Sequence, residues 1–174
     1  MEKNMPDNTD NPAIASHLFK ATMIVTFFGI FISVYFLFTD DVLAYRIAAA
    51  VLVGIVGIIS FVRHSIFYRS DQARMGWRQE HPEFQLEVGY ANLAIGITAL
   101  LAALLNLGSR ACGITLLVYG IYLFCTLMLH VHEMLSAKEH RERRMKSVIN
   151  TGVFVFVLLI FAFLALSSSL PAAR

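Results

Sequence analysis

The stretch Val42-Leu43-Ala44-Tyr45-Arg46-Ile47-Ala48-Ala49-Ala50-Val51-Leu52-Val53-Gly54-Ile55-Val56-Gly57-Ile58-Ile59-Ser60-Phe61-Val62 contains a single charged residue, Arg46. At 1.5 Å per residue it makes a helix of about 30 Å, the thickness of a bilayer's hydrocarbon core. Four more stretches share this character, near His17–Phe38, Val88–Leu107, Ala111–Leu135 and Val148–Ser168. The composition agrees. Of 174 residues, 57% are hydrophobic and 15% charged, where a soluble domain carries about 25% charge. The reading is an all-α integral membrane bundle of five transmembrane helices, a single domain over residues 17–170. The polar start, residues 1–16, is expected to be a disordered tail. It lacks the basic region and small-residue cleavage pattern of a signal peptide. Residues 171–174 form a short tail at the far end.

The connections set the topology. Thr39-Asp40-Asp41 and Gly108-Ser109-Arg110 are too short for anything but antiparallel hairpins. The two other links are longer and charged. Positive charge then sorts by side. Lys3, Lys20, Arg63, Arg69, Arg74, Arg78, Lys138, Arg141, Arg143, Arg144 and Lys146 lie on the N-terminal side, and only Arg46, Arg110 and Arg174 on the other, accounting for all 14 Lys and Arg. The positive-inside rule puts the N-terminus in the cytoplasm and the C-terminus outside, in a cell inner membrane. The basic run from Lys138 to Lys146 reads as an anchor beside anionic headgroups, so the bilayer is the expected partner and nucleic acid is not. Cys112 and Cys125 share one helix about 20 Å apart, beyond disulfide reach, and read as small apolar residues.

Helical spacing assigns faces. Ala50, Gly54, Gly57, Phe61 and His64 form one stripe on the second span, and small residues let helices approach closely in lipid. On the first span Thr22, Thr26, Gly29 and Ser33 do the same. On the third, Gly89, Asn92, Gly96, Ala99 and Ala103 form the packing face, while Glu87 shares a different face with Ala91, Ala94 and Thr98. The fourth span carries a polar face of Cys112, Thr115, Tyr119, Tyr122, Thr126, His130 and Glu133, which belongs inside the bundle. The fifth is apolar all round, which predicts a four-helix core with a peripheral, lipid-facing C-terminal helix.

Three ionisable residues at span ends, His64, Glu87 and His130, fall on the same side of the membrane by this topology. Such groups at a bilayer boundary are costly unless paired, wetted or used. His and carboxylate together suit a divalent transition metal, Zn, Fe, Mn or Cu. Glu133, one turn beyond His130, and Asp71 are secondary candidates. The same residues also fit a proton relay, a headgroup site and, most simply, plain hydrogen bonding that ties helix ends together. The Ser65–Leu86 link is long enough to hold a short helix, from a Ser70-Asp71 cap to Trp77, and to lie over this end as a lid. In it Asp71 reads first as an N-terminal helix charge.

The block His64-Ser65-Ile66-Phe67, then Gly76-Trp77, then Phe84-Gln85-Leu86-Glu87-Val88-Gly89-Tyr90-Ala91-Asn92-Leu93-Ala94-Ile95-Gly96 resembles an uncharacterised family of small multi-span bacterial membrane proteins. Together with the later His130, the resemblance covers about Arg63 to Glu133. The chain departs from the family in Arg78-Gln79-Glu80-His81-Pro82-Glu83, where relatives tend to carry neutral Pro, Gly and Ser. The resemblance implies that His64, Glu87 and His130 belong together and implies no activity. Three functions stay open: a membrane-embedded metal site, a small ion or proton transporter using the Thr115–Tyr119–Tyr122–Thr126 face with Asn92, and a non-catalytic scaffold or accessory subunit that self-associates or binds a membrane partner.

Overall fold

The computed structural model describes residues 11–76, 82–136 and 141–168, with side chains described from residue 145 onward in the last segment. All regular structure among the described residues is helical. We label the helices α1 (Pro12–Leu37), α2 (Asp41–Ile66), α3 (Tyr68–Met75), α4 (Glu83–Leu104), α5 (Ser109–Ser136) and α6 (Arg141–Ser167). Five of them, all but α3, are long and apolar enough to cross a membrane.

The caps explain the boundaries. Asn11 accepts the Ala13 N–H at 2.9 Å and Pro12 occupies the first turn, where its missing N–H costs nothing. The helix therefore starts at Pro12, earlier than expected, so residues 12–16 are not part of a disordered tail; residues 1–10 lie outside the described residues. Asp40 caps α2 by accepting from Leu43 N at 3.0 Å, which turns the acidic hairpin into a defined corner. Arg46 turns to the bundle: its Nε donates to Ala103 O, in the last turn of α4, at 3.0 Å.

The middle helix is α2. Half of its apolar window is buried, against 11% for α1. It packs on α1, α4 and α5, whereas α6 packs along α5 and touches the start of α2. Two stretches of α2, Ala49–Ile55 and Val62–Ile66, have π-helical turns. Wider turns shift the helical phase, so the buried set Ala44, Tyr45, Ala48, Ala49, Leu52, Val53, Val56 and Ser60 spreads beyond the expected stripe. The glycines of that stripe still make the closest crossing. A Cβ on Gly57 would stand 2.8 Å from Asn92 O and 3.1 Å from Gly96 Cα. The expected small face of α4 meets it there, with Gly89, Asn92, Gly96, Ala99 and Ala103 all buried.

The C-terminal helix keeps its peripheral place, but its inner face is part of the core. Leu158, Phe161, Ala162 and Ala165 are buried with Leu116, Tyr119 and Leu52. Small residues explain this: Gly113 sits against Ala165 and Leu166, and Gly120 against Leu159. The helix most open to its surroundings is α1, whose Phe27, Phe28, Phe31 and Tyr35 point outward. Of the cysteines, Cys112 is buried as expected, while Cys125 is exposed; both are free thiols.

Candidate functional site

The Ser65–Leu86 link does fold into a helix. The second π-helical stretch ends α2 with Phe67 N bonded to Val62 O at 2.9 Å, and α3 follows at once. It stops at Gly76, whose φ of 74° is the left-handed geometry that favours glycine at a helix end. Trp77, Arg78 and His81 lie outside the described residues. Inside α3, Ser70 is fully buried and fastens the start of α1. Its Oγ accepts the Ala15 N–H at 3.0 Å and donates to Asn11 O. A donor left free by the first turn of α1 thereby finds its partner 55 residues away.

Next to Ser70, Asp71 is also fully buried. It is more than an N-terminal helix charge: it is the hub of a polar cluster. One oxygen, Oδ1, accepts from Arg74 through Nε at 3.1 Å and Nη2 at 2.9 Å, and Arg63 Nε lies 3.7 Å away. The other, Oδ2, meets His64 Nδ1 at 2.9 Å and Gln85 Nε2 at 3.5 Å. Gln85 in turn accepts from Gln72 Nε2 at 2.9 Å. The ring of Phe19, from α1, lies against both guanidiniums, 5.6 Å from Arg63 and 5.0 Å from Arg74, close enough for cation–π attraction. Four helices, α1 to α4, are joined in this one cluster. Burial by itself pushes the Asp71 carboxyl up. The hydrogen bond from His64 and the charges of Arg63 and Arg74 outweigh it and hold Asp71 below its ordinary 3.8.

The partners also fix the state of His64. Arg63 Nη2 lies 2.9 Å from His64 Nε2. Arginine can only donate, so Nε2 is the acceptor and Nδ1 carries the proton given to Asp71. Both ring nitrogens are spoken for.

The other expected site residues go elsewhere. Glu87 is exposed on the outward face of α4. His130 is half-buried on α5, with Nδ1 3.8 Å from Glu133 Oε2. Among the described residues no three His, Cys, Asp or Glu side chains come together as a metal-holding group. Thus His64, Glu87 and His130 are not assembled into one set; of the candidates, only His64 and Asp71 meet, and His130 and Glu133 form a separate pair. The polar face of α5 turns inward for half its length. Tyr119 OH donates to Asn92 Oδ1 at 3.2 Å, and Asn92 Nδ2 donates to Tyr122 OH at 3.0 Å. Thr115 and Thr126 bond back to Cys112 O and Tyr122 O of their own helix.

Sequence reasoning missed Arg63, Arg74, Gln85 and Phe19. Two signals for them existed: an arginine placed directly before His64 at the end of an apolar span, and the Asp71–Arg74 spacing, which sets the two on one helical face.

The architecture is that of a multi-pass helical membrane protein, tied at the end where α1 begins by a buried Arg–His–Asp–Arg cluster. The chain belongs to a family of unknown function, DUF6790, whose model matches residues 13–173. No curated protein and no solved structure matches it.

Proposed function

We propose that this chain is a non-catalytic scaffold or accessory subunit of a bacterial inner membrane, with its N-terminus in the cytoplasm. The Asp71 cluster acts as the latch that fixes its cytoplasmic end. The carrying observation is the saturation of His64: Asp71 takes one ring nitrogen and Arg63 the other. A metal centre needs one of those lone pairs. A proton relay needs partners that exchange protons on both sides of the ring, and Arg63 only donates and stays protonated. The polar face proposed for transport is similarly engaged, because Asn92, Tyr119 and Tyr122 satisfy one another. Buried polar groups that use up their own valences build rigidity and specificity of fold rather than chemistry. The orientation is supported by the sorting of Lys and Arg between the two sides.

The test is gentle isolation from native membranes after brief chemical cross-linking. A discrete partner or a defined self-assembly should accompany the protein, with no metal at stoichiometric level. Recovery of a lone chain carrying one equivalent of metal that His64→Ala abolishes would overturn the reading. So would proton or cation flux in proteoliposomes.

A further inference from the structure

Lys20 on α1 and Glu87 on α4 are charged, exposed on outward faces of spanning helices, and have no ion-pair or hydrogen-bond partner among the described residues. A lone carboxylate facing lipid is costly, so each invites a counter-charge from outside the chain.

Their surroundings correspond position by position. Along α1, Lys20 is followed on the same face by Ile24, Phe27 and Phe31, at steps of four, three and four. These are large and outward, with exposures of 58%, 67% and 67%. Along α4, Glu87 is followed by Ala91, Ala94 and Thr98 at the same steps. These are small, and the Thr98 hydroxyl is turned back to Ala94 O at 2.8 Å, which leaves its methyl to face outward. As first and third spans, α1 and α4 run in the same direction across the membrane. Their depths agree too. Phe19 lies against Arg63, and Ser65 donates to Leu86 O at 3.3 Å. Arg63 and Ser65 are two residues apart on α2, so Lys20 and Glu87 lie within about one helical turn, ~5 Å, of the same level.

We infer that the Lys20 face of α1 docks on the Glu87 face of α4 in a second copy of this chain. Lys20 pairs with Glu87, and Ile24, Phe27 and Phe31 seat on Ala91, Ala94 and Thr98. Large side chains enter a groove of small ones, the arrangement that drives helix association in lipid. Copies inserted the same way keep the two helices parallel, so all four layers register together. The two faces differ, so the contact is heterologous, and repeated about an axis along the membrane normal it closes into a small ring. This proposal needs parallel insertion only and does not rest on the scaffold reading.

The experiment uses two differently tagged full-length chains co-expressed in membranes, both carrying Cys125→Ser. One carries Ile24→Cys and the other Ala91→Cys. A disulfide between the two tags is expected on mild oxidation, and its absence would overturn the proposal. The second measurement is energy transfer between labelled copies in phosphatidylcholine vesicles. Lys20→Glu and Glu87→Lys should each weaken association about tenfold, and the double reversal should restore it. Equal affinity in all four forms, or a double reversal no better than either single, would sink the pairing. Helix content measured beside each variant separates lost docking from lost folding. Association with a different membrane protein while these copies stay monomeric would likewise refute a second copy as the occupant.

Discussion

Asp71 shows how much one side chain decides here. It is fully buried beside two guanidiniums and a histidine that are themselves mostly buried. Removing one partner from such a group leaves uncompensated charge, which costs about 3–5 kcal/mol. Asp71→Ala should therefore lower stability by about that amount in detergent unfolding, and a loss under 1 kcal/mol would remove Asp71 from the hub. The pH dependence has a definite sign. The folded carboxyl sits below its ordinary 3.8, so its contribution is complete above that value and fades as pH falls through the folded one. Thermal melting should show this acid loss in the wild type, and Asp71→Asn should flatten it. An acid limb of equal depth in both would contradict the assignment.

At the scale of elements, helix contacts separate three kinds of glycine, two of them at the α2–α4 crossing. Around Gly57 the obstructing atoms are backbone, Asn92 O and Gly96 Cα, which cannot step aside. Gly57→Ala should force the helices apart and cost about 1–3 kcal/mol, the usual penalty of overpacking. Gly54 faces mainly the end of the Leu100 side chain, which has rotamers to spare, so Gly54→Ala should cost less. Gly152, with nothing nearer than 3.8 Å, should gain about 0.5–1 kcal/mol as alanine, because the helix then loses less backbone freedom on folding. Chemical denaturation of the three variants checks the ranking; a Gly54→Ala loss larger than that of Gly57→Ala would reject this account of the crossing.

For the whole molecule the claim to test is orientation. A reporter active only outside the cytoplasm should work when inserted at the Thr39–Asp41 hairpin or beside Gly108. It should be silent within the 77–81 stretch. The opposite pattern would invert the proposed topology and put the Asp71 latch on the outer side. The architecture gives the latch its leverage. It sits where α1, α2, α3 and α4 converge, while α5 and α6 form a pair packed by Gly113 and Gly120 away from it. Loosening Asp71 should therefore expose the start of α1 to proteolysis before it disturbs α6.

The sequence alone determined the five spans, because a helix in lipid must satisfy its own backbone and show apolar side chains over a fixed length. It also determined the packing face of α4, since Gly89, Asn92 and Gly96 repeat at helical spacing; it put Glu87 on a different face, but only the packing decided that this face turns outward. Helical phase is local, so it can be read from neighbours. The site was different in kind. Asp71 read first as an N-terminal helix charge because nothing near it in sequence says that α3 folds back onto α1. His64 stayed open between metal ligand, proton relay and helix-end tie because its partners, Asp71 and Arg63, are brought together by a π-helical turn and the docking of Ser70 on Ala15. The fifth helix looked wholly lipid-facing because an even apolar surface does not reveal which side meets α5. Those choices belong to tertiary structure: they depend on which groups burial brings together, and a buried charge takes whatever partner the packing places beside it.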